Sequence, residues 1–251
     1  MKNNDVYAQP VTVFDYLRTI ASYVVASICG IIFFIPCFIL VAILPGRYRY
    51  NNRVIFWLLH CTYKSILWAT WLPITIEGIE NITNTPSIIA PNHLSSLDIP
   101  LVGSLLGVHP HIWFVYIRFA KMPFLGFFIR RMNVPVDMEG RSTLKSLRDG
   151  IRLLEGTNRH AVIFPEAGRF EDGEIHEFFG GFALLAKATK RPVVPVRLYN
   201  LEKIYPRGSF LMYKHPIKVI VGKPFVFDEQ NDTLETFNVR VRQWFLDLEK
   251  I

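Results

Sequence analysis

The segment Asn92-His93-Leu94-Ser95-Ser96-Leu97-Asp98 sets an imidazole and a carboxylate five positions apart. On a regular helix, residues at that spacing point about 140° apart and cannot pair. The flanking residues indicate another geometry. Ile88-Ile89-Ala90 reads as a strand ending at Pro91, and Asp98 before Ile99-Pro100 reads as a helix N-cap with proline in the first turn. His93 then falls in the connecting loop, where Asp98 can accept its Nδ1 proton and leave Nε2 basic and facing a substrate. That is a general base with its orienting carboxylate, and no protein nucleophile beside it. Asn92 and the backbone amides near Ser95 and Ser96 are candidate donors to an oxyanion. The plain alternative is a histidine satisfied inside a tight turn.

A second constellation is Val162-Ile163-Phe164-Pro165-Glu166-Ala167-Gly168-Arg169, again a strand running into a turn. Gly168 would let backbone approach a ligand, and Arg169 offers a guanidinium fork for a phosphate or carboxylate, with Glu166 placed to hold it. The alternative is a surface turn carrying a short-range ion pair. Between the two lies Arg118 to Arg131, where Lys121, Arg130 and Arg131 alternate with phenylalanines. Single-stranded nucleic acid, an apolar face beside a phosphate-binding rim, and a buried aromatic helix all fit that texture.

Other chemistries lack their residues. There is no G-x-S-x-G elbow, no Walker loop and no G-x-G-x-x-G. Cys29, Cys37 and Cys61 all lie in the N-terminal quarter, with neither a disulfide framework nor zinc spacing. The base-and-carboxylate chemistry calls for no metal.

The elements that must position these residues read as an α/β layer. Strands are expected near Ile74 to Ile79, Ser87 to Ala90, Ile112 to Tyr116, Val134 to Val136, Ala161 to Phe164, Val193 to Leu198 and Ile217 to Val221. Helices are expected near Ile99 to Leu106, Pro123 to Met132, Ser142 to Leu154, Gly180 to Ala188 and Thr233 to Leu248. Such alternation implies a mostly parallel, buried sheet flanked by helices, with the site at the carboxyl ends of strands.

Ahead of this layer the texture is greasy and basic. The 251-residue chain is 51% hydrophobic with a formal charge of +7. Its mean hydropathy of +0.25 points to an anionic membrane surface before nucleic acid. No charge occurs between Arg18 and Arg47. As a helix that run would be about 42 Å long against a hydrocarbon core of about 30 Å. Gly30 and Pro36 sit inside it, so it reads either as a kinked span or as a re-entrant hairpin. A cleaved signal peptide fits poorly, because the run is too long and no small-x-small site follows.

Asn51 to Pro73 then carries Arg53, His60 and Lys64 on one helical stripe, and three of the five tryptophans. That pattern suits a helix at headgroup level, or a soluble amphipathic helix packed on the following domain. Arg47, Arg49 and Arg53 place this flank in the cytoplasm by the positive-inside rule. The expected division is a membrane-anchoring two-helix segment, 1–73, and a catalytic domain, 74–251.

Taken in order over about residues 74 to 225, these blocks resemble the lysophosphatidic acid acyltransferase family, the PlsC-type 1-acylglycerol-3-phosphate O-acyltransferases with an Asn-His-x4-Asp signature. Asn92, His93 and Asp98 match its first motif. Lys121, Pro123, Gly126 and Val134-Pro135-Val136-Asp137 match the second. Phe164-Pro165-Glu166 with Arg169 matches the third, which in the family usually reads Phe-Pro-Glu-Gly-Thr-Arg. Pro192-Val193-Val194-Pro195-Val196 matches the fourth.

The resemblance implies a membrane-bound enzyme that moves a fatty acyl chain from acyl-CoA or acyl carrier protein to the free hydroxyl of a lysophospholipid, foremost 1-acyl-sn-glycerol 3-phosphate. No cofactor beyond that co-substrate and no nucleic-acid partner is implied. It assigns catalysis to His93 and Asp98, and substrate contacts to Asn92, Lys121, Glu166 and Arg169; the residues themselves add Gly168, for close backbone approach, and Arg141, which lies three residues beyond Met138 and reads either as a further contact or as a solvated helix-entry arginine. Three departures fall on the anion site. Met138 stands where the family commonly has arginine, Ala167-Gly168 replaces Gly-Thr, and Phe179-Gly180 lacks a lysine often found there. They keep open another acceptor, such as a lyso-ornithine lipid or a lysophospholipid with a larger headgroup. From a different class, a non-catalytic lipid-binding membrane protein on the same fold is also open.

Overall fold

A computed structural model describes residues 11–137 and 141–249. In chain order the helices are α1 (Val13–Cys29), α2 (Ile35–Ile43), α3 (Gly46–Arg49), α4 (Arg53–Trp68), α5 (Asp98–Leu105), α6 (Ile117–Ala120), α7 (Leu125–Met132), α8 (Arg141–Leu154), α9 (Gly181–Thr189), α10 (Leu201–Ile204) and α11 (Leu234–Leu248). The strands are β1 (Ile74–Glu77), β2 (Ile88–Pro91), β3 (His111–Tyr116), β4 (Val134–Val136), β5 (His160–Val162), β6 (Val193–Tyr199) and β7 (Ile217–Val221).

The seven strands form one sheet in the order β1-β7-β6-β2-β5-β3-β4. Every pairing is parallel except β6 with β7. The central strands are buried on both faces, which the side-chain period of two makes visible. Ile88 and Ala90 join Phe182, Leu185, Phe237 and Phe245 of α9 and α11 on one side. Ile89 joins Leu101 and Val102 of α5, with Leu67 and Leu72, on the other. Leu67 and Leu72 thus share a core with the sheet, so packing runs unbroken across residue 73.

Strand β2 lies between β5 and β6, although β3 and β4 follow it in sequence. The chain therefore leaves β2 toward one edge, returns to fill the place beside it, and then crosses to the other side. That reversal opens a crevice at the carboxyl end of β2, the usual ligand position in open parallel sheets.

The N-terminal run is one continuous helix over Val13–Ile43, long and apolar enough to cross a membrane. The re-entrant hairpin is thereby corrected. Pro36 has no amide hydrogen to donate, and a π-turn over Gly30–Phe34 just before it absorbs the irregularity without turning the chain. Thr12 and Asp15 cap the helix start reciprocally.

One stripe of the helix is stitched to the body. Arg18 donates to the carbonyls of Thr70 and Met212, and Thr19 Oγ1 accepts from Met212 N–H at 3.2 Å. Further along, Cys37 and Val41 pack on Ile55, Phe56, Phe128 and Met132. Leu17, Val24, Ile28, Ile31, Ile35 and Ile39 face outward, exposed.

Helix α4 combines both sequence readings. Ile55, Phe56, Leu58 and Leu59 are buried against the body, while Trp57 and Trp68 are exposed on the face that carries Arg53 and Lys64.

Candidate active site

His93 lies in the loop between β2 and α5, and its Nδ1 sits 2.6 Å from Asp98 Oδ2. The Asp98 carboxylate is wholly buried, whereas the imidazole is 22% exposed. Asp98 is the first residue of α5 and not its N-cap, so the sequence expectation is corrected by one position. From there the carboxylate reaches back over its own loop. Oδ2 also accepts from Leu94 N–H at 2.6 Å and Ser95 N–H at 2.9 Å. Burial pushes the Asp98 carboxyl up, while the bonds from His93, Ser95 and Leu94 pull against that rise. A buried carboxylate of this kind rewards formation of the neighbouring imidazolium, the state reached when Nε2 takes a proton. Nε2 has no hydrogen-bond partner among the described residues.

The turn after β5 holds His93 from three sides. Phe164 stacks on the imidazole with ring centres 4.0 Å apart. Glu166 Oε1 accepts from His93 N–H at 3.1 Å, and the His93 carbonyl accepts from Phe170 N–H at 3.1 Å. The other Glu166 oxygen accepts from His176 N–H at 3.1 Å. Glu166 was expected to brace Arg169 and to touch substrate. It is instead a buried staple between two loops, and burial pushes its carboxyl up. Arg169 pairs with Glu171 at 3.5 Å.

Asn92 is corrected as well. Its side chain is fully buried, donates to the Leu198 carbonyl at 3.2 Å and accepts from Leu198 N–H at 2.7 Å. The β6 backbone engages both ends of the amide, and the side chain, fully buried and outside the cavity lining, does not face an oxyanion. The Ser95 amide is likewise committed to Asp98, so among the proposed donors Ser96 alone is exposed.

Ser96 and Arg169 line a cavity of about 370 Å³ together with Tyr23 of α1, Tyr205, Arg207 and Phe210. Lys121 is exposed at the end of α6 and does not line it; its neighbours Phe119, Met122 and Phe124 are exposed too. Gly168 lies in the turn, and a Cβ there would meet the Phe170 ring at 3.0 Å. The left-handed backbone belongs to Ala167, at φ 51°. Met138 and the Arg141 side chain lie outside the described residues.

Residues 73–199, half of the chain, match the Acyltransferase family. The chain belongs to that family. It is similar to a chloroplastic 1-acyl-sn-glycerol-3-phosphate acyltransferase of Arabidopsis thaliana, 32% identical over 169 residues, which cover 63% of this chain and 46% of that protein. A 1-acyl-sn-glycerol-3-phosphate acyltransferase of Borreliella burgdorferi is 26% identical over 191 residues, covering 72% and 75%. The crystal structure of PlsC, the 1-acyl-sn-glycerophosphate acyltransferase of Thermotoga maritima, shares the fold with a TM-score of 0.72 at 22% identity, covering 94% and 97% of the two chains. The chain spans about half the length of the first curated relatives it matches.

In this Acyltransferase-family chain the two motif loops form one unit: the first carries His93, and the second fixes its backbone and ring plane. Sequence reasoning passed over the 205–210 loop and Tyr23, which complete the cavity from outside the matched region. Their only local signal was the turn-forming Pro206-Arg207-Gly208-Ser209.

Proposed function

We propose that the chain is a membrane-bound enzyme that transfers a fatty acyl group from acyl-CoA or acyl carrier protein to the free hydroxyl of 1-acyl-sn-glycerol 3-phosphate, giving phosphatidic acid. The observation that carries the reading is the buried Asp98 carboxylate 2.6 Å from His93 Nδ1, in a loop whose Ser96 lines a cavity together with Arg169. His93 Nε2 removes the proton from the acceptor hydroxyl as that oxygen attacks the thioester carbonyl. The tetrahedral intermediate collapses by breaking the carbon–sulfur bond, and the departing thiolate takes the proton back from the imidazolium. A thioester is already activated, so no acyl-enzyme is needed, and the donor is a co-substrate rather than a bound cofactor.

Arg169 supplies a charge-assisted bond to the headgroup phosphate. The exposed apolar face of Val13–Ile43 and the tryptophans of α4 support membrane attachment, and Arg47, Arg49 and Arg53 support a catalytic domain on the cytoplasmic side.

The test offers the purified protein a panel of lyso-lipids with each donor and identifies the product by mass. Phosphatidic acid is the expected main product. Arg169→Ala is expected to lower kcat/KM for 1-acylglycerol 3-phosphate at least tenfold. A different acylated lipid as main product would replace the acceptor, and no acylated lipid at all would point to the lipid-binding alternative.

A further inference from the structure

The cavity holds a second arginine that neither the motifs nor the family match reaches. Pro206-Arg207-Gly208-Ser209 closes a turn in which Ser209 N–H donates to the Pro206 carbonyl at 3.1 Å and Gly208 takes φ 78°. Glycine in the left-handed third position defines a type II geometry and puts Arg207 at its leading corner. The turn is anchored on every side. The Tyr205 carbonyl accepts from Ser95 Oγ at 3.0 Å, inside the His93 loop. Tyr23 OH, from the N-terminal helix, donates to the Phe210 carbonyl at 3.0 Å and lies 3.1 Å from Tyr205 OH. Arg207 N–H donates to Glu171 Oε2 at 3.1 Å, and the other oxygen of that carboxylate faces Arg169 at 3.5 Å.

One carboxylate therefore registers the Arg207 backbone against the Arg169 guanidinium. The Arg207 side chain is exposed and has no ion-pair or hydrogen-bond partner among the described residues. The cavity lining carries these two arginines and no acidic side chain. Two guanidinium forks on one cavity, whose wall also includes Ser96 of the His93 loop, match the several oxygens of a phosphate monoester, which can accept from both at once.

We propose that Arg207 is a specificity-determining residue that binds the acceptor's headgroup phosphate opposite Arg169, supplying from the loop after α10 a cation beyond the family's motifs. The assignment rests on the phosphate-acceptor reading above. Tyr23 and Ser95 act on it as positioning residues by holding the two flanks of the turn.

The experiment measures binding of 1-hexanoylglycerol 3-phosphate and of phosphate-free 1-hexanoylglycerol to the purified full-length protein in detergent, alongside turnover with both acceptors. For Arg207→Ala, affinity for the phosphate ligand is expected to fall at least tenfold. The ratio of kcat/KM for the phosphate acceptor over the neutral one is expected to fall by the same factor, through KM. Arg207→Lys, which keeps the charge but loses the fork, should fall between. Phosphate-ligand affinity within twofold of the parent in Arg207→Ala, equal losses for both ligands, or a parent protein that binds both ligands equally would overturn the assignment. Arg207-dependent phosphate binding without turnover would leave this assignment standing and instead remove the proposed reaction.

Discussion

His93 and Asp98 meet at 2.6 Å across a loop of four residues, with the carboxylate wholly buried and the imidazole edge open. The same Asp98 oxygen takes two backbone amides of that loop, so the carboxylate organises the loop as well as the ring. His93→Ala and Asp98→Asn should each lower kcat for acyl transfer at least a hundredfold, the lower range for loss of a general base. The histidine variant should also lower the unfolding midpoint, because it removes the ring stacked on Phe164 and leaves the buried Asp98 carboxyl with the two loop amides alone. The aspartate variant should also lose stability, since its amide oxygen accepts at the Oδ2 position only as a neutral group, and its NH2 takes the place of Oδ1, which is buried without a partner among the described residues. Turnover in His93→Ala within tenfold of the parent would rule out the base mechanism.

Asn92 separates structure from chemistry. Its amide closes a reciprocal pair with Leu198 in the interior. Asn92→Ala leaves a buried N–H and a buried carbonyl without partners, at about 1 to 3 kcal/mol each. We expect a fall of about 2 to 6 kcal/mol in unfolding free energy, and the activity of the molecules that remain folded should fall less than in His93→Ala. An unchanged denaturant midpoint would contradict this assignment.

Ala167 occupies the left-handed region at φ 51° in the turn that carries Glu166 and Arg169. An L-residue with a Cβ is penalised there by about 1 to 2 kcal/mol. Ala167→Gly should raise the thermal midpoint, offset in part by the greater entropy of glycine in the unfolded chain. A lower midpoint would mean that the Ala167 methyl contributes packing that outweighs the strain.

Acid should destabilise the fold through two buried histidines remote from the dyad. Burial pushes His111 and His160 from an ordinary 6.5 down to about 4, so both are neutral in the folded protein at pH 7. Between pH 6.5 and 4 the unfolded chain binds more protons than the folded one, so stability falls as pH falls through that window. From pH 7 to pH 5 each should remove about 2 kcal/mol. His160→Asn keeps an acceptor for Ser87 N–H, which now bonds His160 Nδ1 at 3.2 Å. Its unfolding free energy should therefore lose about 2 kcal/mol less than the parent over the same interval. Identical pH sensitivity in parent and variant would exclude His160 as a contributor.

The sequence alone determined what depends on neighbours along the chain. Periods of two and 3.6 marked all seven strands and the main helices of the α/β layer, because a strand buried on both faces and an amphipathic helix write their burial into adjacent residues. The His93–Asp98 pair was legible for the same reason: its partners are five residues apart, and a strand end and a helix start fix the path between them. Asn92 and Glu166 stood in recognisable motifs, but their partners did not. Leu198 lies 106 positions from Asn92, and the His93 amide lies 73 positions from Glu166. Those contacts exist because β6 and β5 flank β2, a strand order that no local pattern encodes. Tertiary structure likewise decided that Gly30 and Pro36 interrupt a helix without folding it back, since the stripe from Arg18 to Tyr23 is tied to the 205–213 loop while Cys37 and Val41 pack on α4 and α7. It also decided that Arg207 stands beside Arg169: Glu171, Tyr23 and Ser95, drawn from three distant stretches of the chain, converge on one turn.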